Sequence, residues 1–366
     1  MRACSALVCA SFFALISIGF GYTSTADVRA TWVPVQALQN RNISAYAKQL
    51  VQTGITDIFL DVWNDGVVYF PSPAMTRLLE LNGGGSSSGG GGAIGPDYLS
   101  AFVAALAGVS GVRLHAWFEY GLMSAYGSAS SNAFSQIAQQ LGWTLGESGG
   151  YVWMDPRNDD VLAFLSDIMS DALRAAPNLT SVQLDDHFCL PSTFAWSNPE
   201  IVTTAARTVL ARLPPGKVTL SPATITFALQ QYNVNWKYWY ATNIGFAVYY
   251  PQIYRTTASA FDSELDNTVT QLGSSKGVVA GIRSDGTPMT TWSEVELMLA
   301  KSSSAGVGIA IWDSESVAIT YHEQLEKRWV GESEEESDPI PISSSSEEDS
   351  GSNGLAGPRP GVVIGI

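Results

Sequence analysis

Eight short apolar runs alternate with segments of helical period between Asp27 and about Val330, and this alternation limits the fold more than any other feature. The apolar runs are Ala30–Pro34, Ile55–Trp63, Val112–Glu119, Ser181–Asp186, Lys217–Ser221, Gly245–Ile253, Gly277–Arg283 and Gly306–Trp312. The intervals include amphipathic segments such as Ile43–Thr53 and Asp159–Ala175. Strands that alternate with helices in this number predict an α/β fold, a single (β/α)8 TIM barrel.

A doubly wound open sheet is the second fold that fits this alternation. No Gly-x-Gly-x-x-Gly follows the first apolar run, which disfavours that alternative. We find no internal repeat and no boundary that would split the barrel. Gly83–Gly92 is almost pure Gly and Ser and is expected to be a flexible insertion without chemistry.

The two ends of the chain differ from the barrel in composition. Residues 1–26 begin with Met1-Arg2, continue with an apolar stretch and end in small residues, as a secretory signal peptide does. An uncleaved anchor is the alternative. We expect a secreted protein with a barrel at 27–330 and a disordered acidic tail, rich in Ser, Pro and Gly, at 331–366.

Charge and cysteine content limit the possible binding partners and disulfides. The formal net charge is −15, and the tail alone holds eight acidic residues against one arginine. This balance disfavours nucleic acid and anionic membranes as partners, and no later apolar segment is long enough for stable membrane insertion. Cys4 and Cys9 lie in the signal peptide, so Cys189 alone remains and no internal disulfide is expected.

The most informative motif is the run from Ser181 to His187, a short apolar strand that ends in Asp185, Asp186 and His187. Carboxylates at the carboxyl end of a buried strand are costly for stability, and barrel enzymes place their chemistry at that end, the mouth of the barrel. We therefore interpret Asp185 and Asp186 as catalytic residues. A helix cap or a surface loop is the structural alternative.

Side-chain alternation along each strand predicts which residues converge at the mouth. The catalytic candidates are Asp185, Asp186, Glu119 and Asp61. The substrate-binding candidates are His115, Trp117, Trp63, His187, Tyr250, Gln252, Tyr254, Arg283 and Trp312. Paired carboxyl groups in an aromatic-lined cleft are what glycoside hydrolysis requires, since one protonates the leaving oxygen and the other attacks or activates water.

Other chemistries fit these residues less well. His115, His187 and His322 show no zinc-binding spacing, and no metal or other cofactor is expected, although His115 and Asp185 could meet at a metal. A Gly-x-Ser-x-Gly elbow is absent, which disfavours an α/β-hydrolase. Nothing marks Cys189 as an activated nucleophile.

Four spaced motifs resemble the family 10-type glycosyl hydrolase-like barrel proteins, and the form with Glu119 and His187 is most similar to their cyanobacterial branch. The motifs are His115-Ala116-Trp117-Phe118-Glu119, Trp153-Met154-Asp155-Pro156, Gln183-Leu184-Asp185-Asp186-His187 and Pro251-Gln252-Ile253-Tyr254-Arg255. In other members the position of Glu119 often carries Asn, and the Gly/Ser insertion and the acidic tail depart from the family pattern. The resemblance implies a secreted hydrolase of β-linked or related glycans, with Asp185 and Asp186 on the catalytic strand.

Two hypotheses about function follow. The first is a glycoside hydrolase whose substrate is an oligosaccharide or polysaccharide, and the second is a barrel that binds carbohydrate without cleaving it. Within the first, Asp185 is expected to be the more essential of the adjacent acids, because it shares the inward face with Gln183. Glu119 is the first candidate for the second carboxylate, followed by Asp61 and then Asp285.

Overall fold

The computed structural model describes residues 24–82, 93–286 and 289–331. These residues belong to the first of the two units into which the chain divides, Met1–Gly331. The second unit, Glu332–Ile366, lies outside the described residues, as do the Gly/Ser insertion and the predicted signal peptide up to residue 23. The expectations for these three segments therefore stay predictions.

Strands and helices alternate along the described chain. The strands are β1 (Arg29–Val33), β2 (Asp57–Asp61), β3 (Trp63–Asn64), β4 (Val67–Val68), β5 (Arg113–Phe118), β6 (Met123–Tyr126), β7 (Thr144–Ser148), β8 (Tyr151–Met154), β9 (Ser181–Asp185), β10 (Val218–Ser221), β11 (Val279–Arg283) and β12 (Gly308–Trp312). The helices are α1 (Ile43–Gln52), α2 (Pro73–Leu81), α3 (Tyr98–Ala105), α4 (Ala133–Gln140), α5 (Asp159–Ala175), α6 (Pro199–Ala211), α7 (Ile225–Tyr232), α8 (Trp236–Thr242), α9 (Ala258–Leu272), α10 (Trp292–Ser304) and α11 (His322–Trp329). No helix among the described residues is long and apolar enough to cross a membrane.

Seven strands form one parallel sheet that curls into a barrel, in the order β10-β9-β5-β2-β1-β12-β11. Single bridges close the gap between the two outer strands: Tyr249 pairs with Leu220 and with Val278, and Gln252 pairs with Ala223 and with Gly281. All eight predicted strand positions are therefore occupied, and the (β/α)8 barrel is confirmed.

The sixth position of the barrel, residues 248–252, departs from the predicted strand Gly245–Ile253. Its pairing consists of isolated bridges rather than a continuous ladder. One physical reason is Pro251, which has no N–H to donate. The neighbouring strand still approaches closely, because Gly281 leaves room: a Cβ there would lie 3.0 Å from the Pro251 carbonyl oxygen.

Two apolar clusters enclose the barrel wall. The inner cluster fills the barrel and consists of Val28, Ala30, Trp32, Phe59, Trp117, Val248, Tyr250, Val279 and Ala310. The larger outer cluster lies between the strands and the helices, where alternate residues such as Ile58, Leu60 and Leu184 are buried. The predicted alternation of inward and outward faces is thus correct for the strands that carry the acids.

Two small sheets extend the barrel beyond β2 and β5. The hairpin β3–β4 turns at Asp65 and Gly66, whose φ angles of 48° and 73° are those of a tight two-residue turn. An antiparallel sheet with the order β6-β8-β7 follows β5. Both additions leave the carboxyl ends of barrel strands, so both lie on the side of the mouth.

Candidate active site

Three carboxylates end neighbouring strands at the mouth. Asp61 is the last residue of β2, Glu119 follows β5 directly, and Asp185 is the last residue of β9. These strands are hydrogen-bonded in the order β9-β5-β2. The residues two positions earlier, Phe59 and Trp117, belong to the inner cluster, so Asp61 and Glu119 emerge on the inward face as predicted.

Asp61 and Glu119 form a carboxyl pair, in which both groups contact the side-chain amide of Asn64. Burial raises the pKa of Asp61 to about 7, and burial together with the charge of Asp61 raises the pKa of Glu119 well above its ordinary value. The amide of Asn64 donates to Asp61 Oδ2 at 2.8 Å and also to Glu119 Oε2. We therefore expect the pair to retain a proton near neutral pH, on one of two carboxyl groups whose positions are fixed by Asn64.

Asp185 and Asp186 form the second group of acids. The Nε2 group of Gln252 donates to Asp185 Oδ1 at 2.7 Å and lies 3.3 Å from Ser221 Oγ. Burial, then the charges of Asp186 and Glu119, raise the pKa of Asp185. Burial also raises the pKa of Asp186, and His187 partly offsets that rise. Two adjacent carboxyl groups, one buried and one mostly buried, favour a single negative charge shared between them.

His187 connects the two groups of acids. Its Nδ1 donates to the backbone oxygen of Glu119 at 3.1 Å and lies 3.7 Å from Asp186 Oδ1. Its ring stands 5.4 Å from the ring of Tyr151 and 6.4 Å from that of Trp153. The imidazole thus lies between the acids and the aromatic side chains of β8.

One group of side chains in the described part of the chain has the composition and closeness of a metal site. Single ligand atoms of Asp185, Asp186 and His187 lie within 4.8 Å of one another. The pair His115 and Asp185, considered from the sequence, does not meet in this way, because His115 lies deeper in the barrel. The expected absence of a metal stays a prediction.

A third set of side chains forms the opposite wall of the mouth. Asp285 accepts hydrogen bonds from Arg283 Nε at 2.9 Å and from Trp312 Nε1 at 3.3 Å. The ring of Trp312 stands edge-on to that of Trp117, with centroids 5.7 Å apart. Burial, then the charges of Asp185, Asp186 and Asp285, raise the pKa of Tyr254. Asp285 therefore orients the wall through Arg283 and Trp312.

Two predicted substrate-binding residues, His115 and Tyr250, lie too deep in the barrel to line the mouth. His115 is fully buried, with its ring nitrogens 2.7 Å from Ser181 Oγ and 2.9 Å from Asp57 Oδ1. Tyr250 is fully buried in the inner cluster, against Phe59. Both residues have the inward orientation, but they lie one layer below the mouth.

Trp63 was assigned to the inward face, and this assignment is wrong. Strand β2 ends at Asp61, so the alternation does not continue to Trp63, which begins the hairpin β3–β4. Its ring packs against Phe134 and Phe164 in the helix layer. Trp117 keeps the inward orientation but is almost fully buried under Trp312.

Two polar residues of the site were missed from the sequence. Asn64 contacts both carboxyls of the first pair, and Ser221 contacts Gln252 beside Asp185. Ser221 ends a predicted strand, which is a usable signal. For Asn64 the signal was the dipeptide Asp65-Gly66, which predicts a hairpin turn directly after it.

One cavity lies away from these acids. It has a volume of about 580 Å³, lies beside α2, and is lined by Phe70, Pro71, Ser72, Pro73, Thr76, Arg77, Glu80, Ile94, Gly95 and Asp97. Among the described residues of its lining there is no carboxyl pair like that of Asp61 and Glu119. The perturbed acids at the mouth therefore mark the candidate site, and this cavity does not.

A comparison with protein families gives one match. The sequence profile named glycosyl hydrolase-like 10 matches residues 25–208, which include Asp61, Glu119, Asp185 and Asp186. No curated protein matches the chain in sequence.

Solved structures with the same fold include three glycoside hydrolases. The PgaB (BpsB) glycoside hydrolase domain from Bordetella bronchiseptica has a TM-score of 0.55 at 11% identity, over 83% of this chain and 98% of that one. The catalytic domain of a beta-amylase from Paenibacillus polymyxa has a TM-score of 0.53 at 9% identity, over 84% and 99%. An endo-1,4-beta-D-mannanase from Thermotoga petrophila RKU-1 has a TM-score of 0.50 at 11% identity, over 78% and 87%. At these identities the likeness concerns the fold.

Proposed function

This chain belongs to the glycosyl hydrolase-like 10 family, and from this membership we propose that it is a secreted glycoside hydrolase of a polysaccharide or cell-wall glycan. The observation that carries the proposal is the position of Glu119 and Asp185, which directly follow the paired residues Phe118 and Leu184 at the carboxyl ends of the adjacent strands β5 and β9. Each has its own hydrogen-bonding partners, so the two acids occupy different environments. In glycosidases, different environments give the two carboxyl groups different pKa values, so that one is a proton donor and the other an ionised carboxylate.

Glu119 fits the role of general acid. Burial and the charge of Asp61 raise its pKa, so it retains a proton at the pH where the enzyme would work. Asn64 holds the carboxyl group on the side of Asp61. A protonated carboxyl that faces the glycosidic oxygen donates its proton as the bond breaks.

The Asp185–Asp186 pair fits the role of nucleophile or base. The shared negative charge of the pair is stabilised at Asp185 by the amide of Gln252 and near Asp186 by His187. Asp185 lies on the inward face, so we assign it the attack on the anomeric carbon or the activation of water. Asp186 is then a positioning residue between Asp185 and His187.

The opposite wall supplies the sugar-binding surface. Trp312 is partly exposed above the buried Trp117, and Arg283 is partly exposed beside it. Asp285 fixes both side chains through hydrogen bonds. An aromatic face beside a guanidinium group matches a sugar ring, which has one apolar face and hydroxyl groups on its rim.

The test is hydrolysis by the full-length chain of soluble peptidoglycan fragments, chitin, mannan and cellulose oligomers, followed by chromatography of the products. The matched variants are Glu119→Gln and Asp185→Asn, with Asp262→Asn as control, because Asp262 pairs with Lys301 on the helix layer. We expect cleavage of at least one glycan by the wild type and the control, and loss in both site variants. Binding without cleavage would instead support the carbohydrate-binding barrel.

Secretion is proposed from the sequence of residues 1–26 alone. The test expresses the full chain in its native host type and measures the intact mass of the exported protein. A mass that corresponds to a start near Asp27 supports export with cleavage. Retention of the full-length chain in the cell would contradict it.

A further inference from the structure

An exposed tyrosine, Tyr126, ends strand β6 beside the mouth. About half of its surface is exposed, 51%. It pairs across the sheet with Tyr151, and its N–H donates to Asp65 Oδ1 at 2.8 Å. The ring therefore stands on a fixed strand that is tied to the hairpin β3–β4, which also carries Asn64.

Aromatic rings lead from Tyr126 to the catalytic acids. The ring of Tyr126 stands 5.3 Å from that of Tyr151, which stands 5.4 Å from that of His187. His187 in turn lies beside both groups of acids, with its Nδ1 3.1 Å from the Glu119 backbone oxygen and 3.7 Å from Asp186 Oδ1. The row of rings thus begins in solvent and ends where the glycosidic bond would lie.

The face of Tyr126 is open compared with other exposed rings. The guanidinium carbon of Arg157 lies 3.7 Å from the centroid of Trp196, and that of Arg207 lies 5.9 Å from the centroid of Tyr238. Among the described residues no guanidinium group covers Tyr126 in this way. Its neighbour across the turn is Gly150, which has no side chain, and even an added Cβ would only touch the ring edge at 3.4 Å.

We propose that Tyr126 is the platform of a distal sugar subsite, where a pyranose ring of the bound glycan stacks while another sugar lies at Glu119 and Asp185. The inference rests on the proposed function, because the ligand is the same glycan chain. An exposed aromatic ring binds the apolar face of a sugar, and a fixed ring loses little conformational entropy when it does so. The subsite favours long chains over short ones.

The experiment measures binding by calorimetry to the full-length chain that carries Asp185→Asn, so that the ligands are not cleaved. The ligands are chitin, mannan, cellulose and peptidoglycan oligomers, from disaccharide to hexasaccharide. Tyr126→Ala is compared with Tyr126→Phe and with Tyr238→Ala, a similarly exposed tyrosine on α8. We expect Tyr126→Ala to weaken hexasaccharide binding by about 3- to 10-fold, to leave disaccharide binding unchanged, and Tyr126→Phe to restore affinity.

The outcomes separate the subsite from the hydrolase. Hexasaccharide binding that is equal in Tyr126→Ala and Tyr238→Ala overturns the subsite, and so does an equal loss for all chain lengths. If the protein without Asp185→Asn cleaves none of these oligomers while the chain-length effect of Tyr126→Ala is present, the subsite holds and the hydrolase fails. If none of the oligomers binds, the subsite is overturned.

Discussion

At the scale of single residues, the site depends on acids that are buried beside one another. The pKa values of Asp61, Glu119 and Asp185 all lie above their ordinary range. Burial favours the neutral form of each of these groups. The few donors within reach, Asn64, Gln252 and His187, decide which carboxyl is held in which protonation state.

Asp185→Asn is expected to lower kcat by about 10² to 10⁴ while the fold is retained. The reason is that Asn keeps the shape of the side chain and its contact with Gln252 but cannot attack or accept a proton. Steady-state kinetics on the glycan cleaved by the wild type measures the loss, and circular dichroism checks the fold. If Asp186→Asn is the inactive variant and Asp185→Asn remains active, the assigned roles are reversed.

Glu119→Gln is expected to lose the ability to assist a poor leaving group. An aryl glycoside whose leaving phenol is acidic needs no proton, so its cleavage should fall far less than that of the natural glycan. In the wild type, activity should decrease as the pH rises through the raised pKa of Glu119, since the acid is then deprotonated. A variant that slows both substrates equally would show that Glu119 is not the proton donor.

At the scale of elements, the hairpin β3–β4 links the acids to the small sheet of β6, β8 and β7. Asp65 accepts the N–H of Tyr126, and Gly66 lies against Asn132, the residue before α4, because a Cβ at Gly66 would stand 2.4 Å from Asn132 Oδ1. Asn64 precedes this turn and contacts both members of the first carboxyl pair. The position of the hairpin therefore determines the geometry of the pair.

Gly66→Ala is expected to lower both stability and kcat, because the added methyl group would displace the turn and with it Asn64. Its control is Gly108→Ala, which has a similar φ of 78° but no heavy atom within 4 Å of the added Cβ. In both variants, backbone strain should lower the free energy of unfolding by about 1 kcal/mol. Urea unfolding and kinetics would check this, and equal kcat values in the two variants would contradict the role of the hairpin.

The sequence predicted the acids better than the aromatic residues around them. An acid at the end of an apolar run can be recognised from the neighbouring residues alone. The alternation of inward and outward side chains then gives its orientation, as long as the residue belongs to the strand. Trp63 shows the limit, because the end of β2 at Asp61 depends on the hairpin that docks behind it. His115 and Tyr250 show a second limit, because side-chain alternation predicts which face of the strand a residue is on but not how deep in the barrel it lies.

At the scale of the whole molecule, the eight-fold alternation was sufficient to predict the barrel. The two small sheets were not predicted, because their strands are short and depend on contacts with distant segments. Gly121 is an example: a Cβ there would lie 2.6 Å from the Phe188 nitrogen, so the chain after β5 fits closely against the loop after β9. Such contacts leave no periodic pattern in the sequence.

The stability of the protein is expected to fall as the pH rises from about 4 to about 7. The pKa of Asp61 is about 7 in the folded protein and about 3.9 in an unfolded chain. In this window the folded state therefore binds more protons than the unfolded state, which lowers stability with rising pH.

Asp61→Asn removes this titration and should flatten the decline. Urea unfolding at pH 4 and pH 8 measures the difference between variant and wild type. The variant should gain more stability relative to the wild type at pH 8 than at pH 4. An equal difference at the two pH values would show that Asp61 does not titrate in this window.

The irregular sixth wall of the barrel has a consequence for local opening. Amide hydrogen exchange should be faster at Tyr250 and Gln252, whose N–H groups bond to Leu220 and Pro222 oxygens across isolated bridges, than at the amides of the continuous β5–β9 ladder. Because Gln252 is also the donor to Asp185, each opening of this wall would release the carboxylate. A bound glycan should therefore slow exchange here, and mass spectrometry of deuterated peptides would detect it.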